Sequence, residues 1–325
     1  RCIGLTDIYM VDHPPSVRMN SGLSPVVTSP PYWRLRDYGI AAQLGREATP
    51  YMYVQNLLKV FNEIRRVLKP SGTCWVVIGD RYFSSNNDLK KRVRSNSFLN
   101  LSKRERFEEL KTIFHIPLTS LCMLPSRFAL GMMKKGWILR NELIWHKPNA
   151  MPQSSRDRFT VDFEKVFFFV KSKGYYFKQQ YEPLKESGKS VSRFNEPQRP
   201  HKKNDSYWFD RPKEQREKAR EKMLSRGRIK RCVWSIGKAC FKGNHFAVFP
   251  EKLIETPILA GCPEGGIVLD PFMGSGTTGM VAKRLGRKYI GIELNPAYAN
   301  LARYRIEGTD TDEDEPIAEI VTSSP

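Results

Sequence analysis

A glycine-rich turn lies between a predicted strand and a predicted helix near the end of the chain. The segment Asp270-Pro-Phe-Met-Gly-Ser-Gly-Thr-Thr-Gly279 follows the apolar run at 266–269, and Glu293 ends the next predicted strand. Gly274 and Gly276 let the backbone turn tightly and approach a ligand, and a carboxylate 19 residues after Gly274 can accept both ribose hydroxyls. This layout predicts a nucleoside-binding site.

The acid before the glycines distinguishes between two nucleoside cofactors. Residues 274–279 satisfy the G-x-G-x-x-G pattern of dinucleotide sites, in which the strand runs straight into the first glycine and the helix faces a pyrophosphate. Asp270 would repel a pyrophosphate but suits the ammonium group of an amino acid. The turn therefore predicts S-adenosyl-L-methionine, which has a ribose and a methionine zwitterion but no phosphate. The alternative is a helix cap or a cluster of packing glycines.

A second segment, Thr28-Ser-Pro-Pro-Tyr-Trp33, follows a short predicted strand at 26–28. Two prolines cannot continue a central strand, and such a segment is by itself an ordinary turn. Next to a methyl donor, the segment can take part in catalysis. The lone pair of an exocyclic base amine is delocalised into the ring and must be localised before the nitrogen can attack the methyl group. The Ser29 hydroxyl and the Pro30 carbonyl can draw the amine hydrogens while Tyr32 stacks on the base.

These two segments predict direct methyl transfer to an exocyclic amine of a base. In a duplex, that base must first be flipped out of the stack. Methylation of cytosine carbon 5 would instead need a nucleophilic cysteine, usually after proline. None of the six cysteines follows a proline, and none forms a C-x-x-C pair, which favours a reducing compartment and argues against a zinc ribbon. The grouping of Cys232, Cys240 and His245 suits no common metal site, so we expect no metal.

The 325-residue chain is strongly basic, with 54 Lys and Arg against 34 Asp and Glu, a net charge of +20. Residues 81–111 carry +5 and residues 178–243 carry +11. This balance predicts a polyanionic partner, nucleic acid before an anionic membrane. The aromatic residues Tyr207, Trp208, Phe209 and Trp234 among these charges favour a nucleic-acid module, although the alternating charges at 214–226 are typical of a solvated helix.

Hydrophobic periodicity predicts an α/β fold with a mixed, doubly wound sheet. The predicted helices span 51–68, 121–135, 214–226, 277–285 and 296–307, and the predicted strands span 26–28, 73–78, 137–145, 163–170, 266–270 and 288–293. The longest apolar run is far too short to cross a bilayer, and the N-terminus shows no signal peptide. Because the chain begins at Arg1, we interpret it as a fragment or a processed form.

Taken in order, these motifs resemble those of the β-class amino-methyltransferases of DNA, in which the catalytic motif comes first and the cofactor motif last. The resemblance covers nearly the whole chain. It includes Gly136-Trp-Ile-Leu-Arg-Asn-Glu-Leu-Ile-Trp-His-Lys-Pro-Asn-Ala-Met-Pro152, similar to the region around the flipped base, and Phe241-Lys-Gly-Asn-His-Phe-Ala-Val-Phe-Pro-Glu251, similar to a cofactor motif. It implies a Rossmann-like, S-adenosylmethionine-dependent methyltransferase fold with a circularly permuted motif order and a basic recognition insertion.

The resemblance also implies which residues form the sites. The catalytic residues would be Ser29, Pro30, Pro31 and Tyr32. The cofactor-binding residues would be Asp7, His245, Phe246, Pro250, Asp270, Pro271, Phe272, Gly274, Ser275, Gly276, Thr277, Glu293 and Asn295. Within the recognition region we expect DNA contacts from Lys202, Lys203, Arg228 and Lys230.

The predicted organisation has four parts. Residues 1–177 hold the catalytic part with the insertion at 81–111, 178–240 the target-recognition region, 241–307 the cofactor-binding part, and 308–325 an acidic tail or linker. Double-stranded DNA is the expected partner. A homodimer, a restriction enzyme partner and a C-terminal reader module are left open. The expected location is the prokaryotic cytoplasm and nucleoid, or the nucleus in a eukaryotic host.

The residue before Pro-Pro-Tyr indicates the target base. Serine at position 29 is similar to the members that make N4-methylcytosine, whereas aspartate is usual where adenine N6 is methylated. Two alternatives stay open, an adenine-N6 methyltransferase of the same fold and an inactive DNA-binding relative. A nicotinamide oxidoreductase would need a hydride-transfer site that the sequence does not show.

Overall fold

The computed structural model describes residues 9–11, 23–40, 43–47, 49–83, 116–117, 119–183, 213–238 and 250–307. Several predicted features lie outside these ranges. They are the site residues Asp7, Lys202, Lys203, His245 and Phe246, positions 84–111 of the basic insertion, and the tail at 308–325.

The strands of the described residues are β1 (Tyr9–Val11), β2 (Leu23–Thr28), β3 (Leu68–Ile78), β4 (Ile138–His146), β5 (Phe163–Val170), β6 (Tyr181–Glu182), β7 (Arg228–Ile229), β8 (Val233–Ser235), β9 (Ile267–Asp270) and β10 (Lys288–Glu293). Eight of them form one sheet in the order β1-β10-β9-β2-β3-β5-β4-β8. Strands β10, β9, β2 and β3 run parallel, whereas β1 is antiparallel to β10 and β5 is antiparallel to both β3 and β4. The sheet is therefore mixed.

The helices are α1 (Pro50–Val67), α2 (Leu124–Lys134), α3 (Lys213–Arg226), α4 (Glu251–Gly261), α5 (Thr277–Arg284) and α6 (Pro296–Glu307). Helix α1 shows why these segments fold as they do. Its buried residues recur at three- and four-residue steps, Thr49 caps it by accepting a hydrogen bond from the Met52 N–H at 3.1 Å, and Pro50 occupies its first turn. It ends where Leu68 takes the extended backbone of β3.

Alternate residues of the central strands point to opposite faces of the sheet. Val26 and Val76 pack in a core cluster with residues of α1 and α2, and Val27 and Val77 pack in another with residues of α4, α5 and α6. The β2-α1-β3 crossover therefore covers one face and the β9-α5-β10 crossover covers the other. Since the two crossovers leave neighbouring strands in opposite directions, the carboxyl ends of β2 and β9 form the switch point at which such sheets bind ligands.

The prediction of a doubly wound mixed sheet is confirmed, with several local differences. Helix α4 and the short strands β1, β6, β7 and β8 were not predicted, and β3 begins directly at Leu68 without the loop expected at 69–72. Trp234 lies in β8 opposite Trp145 of β4 and is only 5% exposed. Its interpretation as a base-stacking residue was wrong, because this ring belongs to the core.

Residues 178–231 form a compact unit distinct from the rest of the chain. In this unit β6 and β7 pair as an antiparallel ladder, and Glu182 accepts hydrogen bonds from both Arg228 and Arg231 at 2.6 Å. Burial acts to raise the pKa of Glu182, but these arginine contacts outweigh it and lower the pKa. The side chains described on α3 are exposed, as expected for a solvated helix. No helix in the described ranges is both long and apolar enough to cross a membrane.

Candidate active site

The two predicted motifs meet at the switch point of the sheet. Val26 of β2 lies opposite Leu269 of β9, so the Ser-Pro-Pro-Tyr turn and the Asp-Pro-Phe turn leave the sheet at the same edge. A direct bond joins them, because the Thr28 hydroxyl donates to Oδ1 of Asp270 at 2.5 Å. The structure thus brings together two segments separated by more than 200 residues of sequence.

Asp270 is a buried carboxylate with several protein partners. Besides Thr28, it accepts hydrogen bonds from the Thr278 hydroxyl at 2.6 Å and from the Phe272 N–H at 3.0 Å. Burial raises its pKa from an ordinary 3.8 to about 6, against the lowering effect of these donors. Its predicted contact with the ammonium group of a cofactor stays a prediction. The described bonds also give Asp270 a structural role in joining the two turns.

The raised pKa of Asp270 predicts a pH-dependent difference in stability. The folded state holds the proton up to about pH 6, so the stabilisation from Asp270 is full below pH 4 and is lost as the pH rises through 6. Relative to Asp270→Asn, the free energy of unfolding of the wild type should fall by up to about 3 kcal/mol between pH 4 and pH 7. Urea denaturation of both proteins at these two pH values checks this, and a constant difference would contradict it.

The glycines of the turn have different roles. Gly274 has a φ of +54°, and an added Cβ would meet no atom closer than 4.0 Å, so the space beside it is open to a ligand. Gly276 has a φ of +85°, and an added Cβ would lie 2.9 Å from Cα of Ala302 in α6. We therefore attribute Gly276 to the packing of the turn against α6, and only Gly274 to close approach of a ligand.

Glu293 joins the glycine turn to the end of β10. Its carboxylate accepts hydrogen bonds from the N–H groups of Gly274 at 2.8 Å, and of Leu294 and Asn295 at 2.9 Å. Burial raises its pKa despite these donors. An ionised carboxylate offers about four acceptor positions, so one remains beside the three amide bonds. That is fewer than the two ribose hydroxyls of the sequence prediction would need.

The other predicted cofactor residues that the structure describes lie around this turn. The Ser275 hydroxyl accepts a hydrogen bond from Arg305 at 2.7 Å, and the Asn295 side chain caps α6 by accepting from the Ala297 N–H at 2.9 Å. Pro271 and Phe272 are half-buried, and Pro250 precedes the first turn of α4. The buried Thr277 hydroxyl has no hydrogen-bond partner among the described residues. This orphaned polar atom and the open side of Gly274 fit a site built for a polar nucleoside.

The Ser-Pro-Pro-Tyr turn is held on several sides. The Tyr53 hydroxyl donates to the Pro31 carbonyl at 2.9 Å, and Pro30 is buried. The ring of Tyr32 lies against Gly79, where an added Cβ would be only 2.6 Å from Cε2 of that ring. Burial and the neighbouring Glu164 keep the pKa of Tyr32 well above its ordinary value, so its hydroxyl stays protonated.

Three residues near this turn were missing from the predicted site: Gly79, Lys147 and Glu164. Tyr32 donates to Oε2 of Glu164 at 2.6 Å, and Lys147 forms an ion pair with Oε1 of the same carboxylate. Lys147 lies within the segment that resembles the flipped-base region, but nothing local marks Glu164. The strand pairing brings it to the site: β5 is antiparallel to β3, so the start of β5, with Glu164, lies at the edge of the sheet where the parallel strands end. Among the described residues, no cluster of His, Cys, Asp and Glu is arranged to hold a metal ion.

Comparison with known proteins identifies the family of this chain. The family model described as DNA methylase, for N6 and N4 methylation, matches residues 24–304. The type II methyltransferase M.Cfr9I of Citrobacter freundii is 38% identical over 88% of this chain and 82% of its own length. M.SmaI of Serratia marcescens is 38% identical over 86% of this chain and 83% of its own length.

Solved structures show the same fold. The PvuII cytosine-N4-specific DNA methyltransferase matches with a TM-score of 0.56 and 20% identity, over 93% of this chain and 87% of the other. A putative DNA modification methylase of Thermus thermophilus, complexed with S-adenosyl-L-methionine, matches with a TM-score of 0.50 and 23% identity, over 88% and 86%. The chain belongs to the N6/N4 DNA methylase family and is a DNA methyltransferase, which confirms the resemblance seen in the sequence.

Proposed function

We propose that this DNA methylase transfers the methyl group of S-adenosyl-L-methionine to the exocyclic N4 amine of cytosine in double-stranded DNA. The observation that carries the proposal is the serine at position 29: a hydroxyl, not a carboxylate, directly follows Thr28, whose own hydroxyl is bonded to Asp270 at the switch point. The orphaned Thr277 hydroxyl and the open side of Gly274 support a nucleoside cofactor at the neighbouring turn.

Each residue of the catalytic turn has a role in this proposal. The cofactor supplies an activated methyl group on a sulfonium. The Ser29 hydroxyl and the Pro30 carbonyl accept the amine hydrogens and so localise the nitrogen lone pair, while Tyr32 stacks on the flipped base. Because the catalytic and cofactor turns are joined by the Thr28–Asp270 bond, both reactants are held in fixed alignment, which in favourable cases contributes about 7–11 kcal/mol.

Identification of the methylated nucleoside tests the base assignment. The purified chain is incubated with unmethylated DNA and S-adenosyl-L-methionine, the DNA is digested, and the nucleosides are identified by mass spectrometry. The matched control omits the cofactor. We expect N4-methylcytosine. N6-methyladenine would overturn the choice of base, and no methylated nucleoside despite measured cofactor binding would favour the inactive DNA-binding relative.

The naming of the similar proteins as type II methyltransferases supports a role in restriction-modification. In this role the enzyme marks the host DNA at the sequence that a companion restriction enzyme cleaves. The basic unit at 178–231 is our candidate for reading that sequence, and Lys202, Lys203, Arg228 and Lys230 are its candidate phosphate contacts.

Neutralising these four residues together should weaken DNA binding and flatten its salt dependence. If all four meet phosphates, replacement by glutamine should reduce the slope of log K against log salt by about 3 to 4, since each contact contributes about 0.9. Fluorescence anisotropy of labelled duplex DNA over a salt series measures this slope.

A matched control replaces four exposed basic residues on and next to α1 and α2, namely Lys59, Arg66, Lys134 and Lys135. We expect this control to change the slope by less than half as much. Equal slopes for the two sets would assign the basic unit to general surface charge.

A further inference from the structure

A chain of polar contacts leads from the catalytic serine to a half-buried ion pair. The hydroxyl oxygens of Ser29 and Tyr32 are 3.5 Å apart, and Tyr32 donates to Oε2 of Glu164 at 2.6 Å. The other oxygen of Glu164 is paired with Lys147. The side chains of Lys147 and Glu164 are 12% and 18% exposed, so this pair is largely shielded from solvent.

The sheet fixes the position of this pair. Glu164 is the second residue of β5, where it lies opposite Trp145 of the antiparallel strand β4, and Lys147 directly follows β4. The ammonium group of Lys147 also lies 4.4 Å from the centre of the Trp145 ring. The carboxylate therefore faces the catalytic turn from a rigid ladder, with the Lys147 ammonium group beside it.

The chemistry of these groups sets the direction of the hydrogen bonds. An ammonium group only donates and an ionised carboxylate only accepts, so the Tyr32 hydroxyl must give its proton to the bond with Glu164. The oxygen of Tyr32 is then the acceptor for the Ser29 hydroxyl, as the structure has it. The lone pairs of the Ser29 oxygen are left free to accept a hydrogen from the amine of a base.

We propose that Glu164 is the final acceptor of the proton that the amine loses, reached through Ser29 and Tyr32. This inference rests on the proposed function. Transfer forms a nitrogen–carbon bond, breaks the sulfur–carbon bond of the sulfonium, and leaves the amine nitrogen with one proton too many. That proton passes to the Ser29 oxygen, the Ser29 proton passes to Tyr32, and the Tyr32 proton passes to Oε2 of Glu164. The neutral acid later loses its proton to solvent.

The long contact between Ser29 and Tyr32 is compatible with this relay. Catalytic hydrogen bonds are often long in unliganded enzymes and tighten when the substrate is bound. In this scheme Glu164 is a positioning residue, because it acts on the base only through Tyr32 and Ser29. It completes a relay for which the catalytic turn alone supplies no charged acceptor.

Two nearly isosteric variants test the relay. Glu164→Gln can still accept the bond from Tyr32 but cannot take up its proton at neutral pH, and Tyr32→Phe keeps the ring but removes the hydroxyl. Each should lower the single-turnover rate of methyl transfer by about 100-fold, a typical contribution of general base catalysis. Affinities for DNA and for S-adenosyl-L-methionine should stay within about threefold of wild type. The double variant should be no slower than the slower single variant, because both changes interrupt one relay.

The matched control is Glu63→Gln, which breaks an ion pair with Arg66 on α1, at 2.8 Å, without touching Tyr32. It should leave the single-turnover rate unchanged, and Glu164→Asp should recover part of the rate lost in Glu164→Gln. Two results would overturn the relay: a wild-type rate in Tyr32→Phe, or additive losses in the double variant. A loss confined to the KM for DNA would also overturn it and assign Glu164 to holding the ring alone.

The same reactions separate failure of the relay from failure of the proposed function. The identity of the wild-type product reports on the base, whereas the ratio of variant to wild-type rates reports on the relay. Formation of N6-methyladenine with a 100-fold loss in Glu164→Gln would overturn the cytosine assignment and support the relay. Formation of N4-methylcytosine, with equal rates for Glu164→Gln and the wild type, would support the cytosine assignment and overturn the relay. A wild-type protein that makes no methylated nucleoside would overturn both.

Discussion

Replacing Ser29 with alanine should lower the single-turnover rate of methyl transfer by about 100- to 1000-fold, the usual cost of losing one preorganised polar contact to a reacting group. The change removes the hydroxyl that, in the proposed mechanism, accepts an amine hydrogen, and with it the contact with the Tyr32 hydroxyl. It leaves the Asp270 and Glu293 turns untouched, so the affinity for S-adenosyl-L-methionine should stay within about threefold. Single-turnover methylation and equilibrium binding of the cofactor measure the two quantities separately.

A second serine provides the control for this experiment. The Ser172 hydroxyl donates to the Pro70 carbonyl at 2.8 Å, and its replacement by alanine also removes one seryl hydrogen bond. We expect Ser172→Ala to methylate at the wild-type rate. A loss of cofactor affinity in Ser29→Ala as large as its loss of rate would contradict the division between the catalytic and cofactor turns.

The sequence predicted best those elements whose pattern is local. The apolar spacing along 51–68 gave α1 to within one residue at each end, and the run at 163–170 gave β5 with both of its ends. The glycine turn and Glu293 were also found, because one strand-helix-strand unit places them close together in both sequence and space. The spacing of residues along the chain is enough to predict a feature that lies within one strand-helix-strand unit.

Helix α4 was missed because its sequence carries a contrary local signal. Pro257 lies inside it, and proline removes an intrahelical hydrogen bond and normally ends a helix. In the fold, Leu253, Ile254 and Ile258 of this helix are completely buried. Their burial outweighs the cost of the proline, and this energy depends on a sheet face that no local window contains.

The pairing of distant strands also decided which site residues were missed. Glu164 meets Tyr32 because β5 runs antiparallel to β3, and Gly79 contacts the same ring because β3 lies beside β2. Neither neighbour follows from the spacing of residues along the chain. The burial of Trp234 has the same origin, since it depends on the pairing of β8 with β4.

Replacing Glu293 with alanine should raise the Kd for S-adenosyl-L-methionine by about 10- to 100-fold. The carboxylate holds the Gly274 N–H at 2.8 Å and offers one further acceptor position for a ribose hydroxyl. Hydrogen bonds to a charged group contribute about 1.5–3 kcal/mol, and each 1.4 kcal/mol changes Kd about tenfold. Isothermal titration of the cofactor measures this change, with the exposed Glu264→Ala as the control that should bind like the wild type.

Glu293→Gln separates the two roles of this carboxylate. The single amide oxygen of glutamine can still accept from the N–H groups of Leu294 and Asn295. The amide NH₂ would then face the Gly274 N–H, and two donors cannot bond to each other. If the hydrogen bond to the Gly274 N–H is needed for cofactor affinity, Glu293→Gln should lose nearly as much affinity for S-adenosyl-L-methionine as Glu293→Ala. At saturating cofactor, both variants should methylate within about tenfold of the wild-type rate, because the catalytic turn is intact. A rate that stays 100-fold low at saturation would instead place Glu293 among the residues that align the methyl group with the amine.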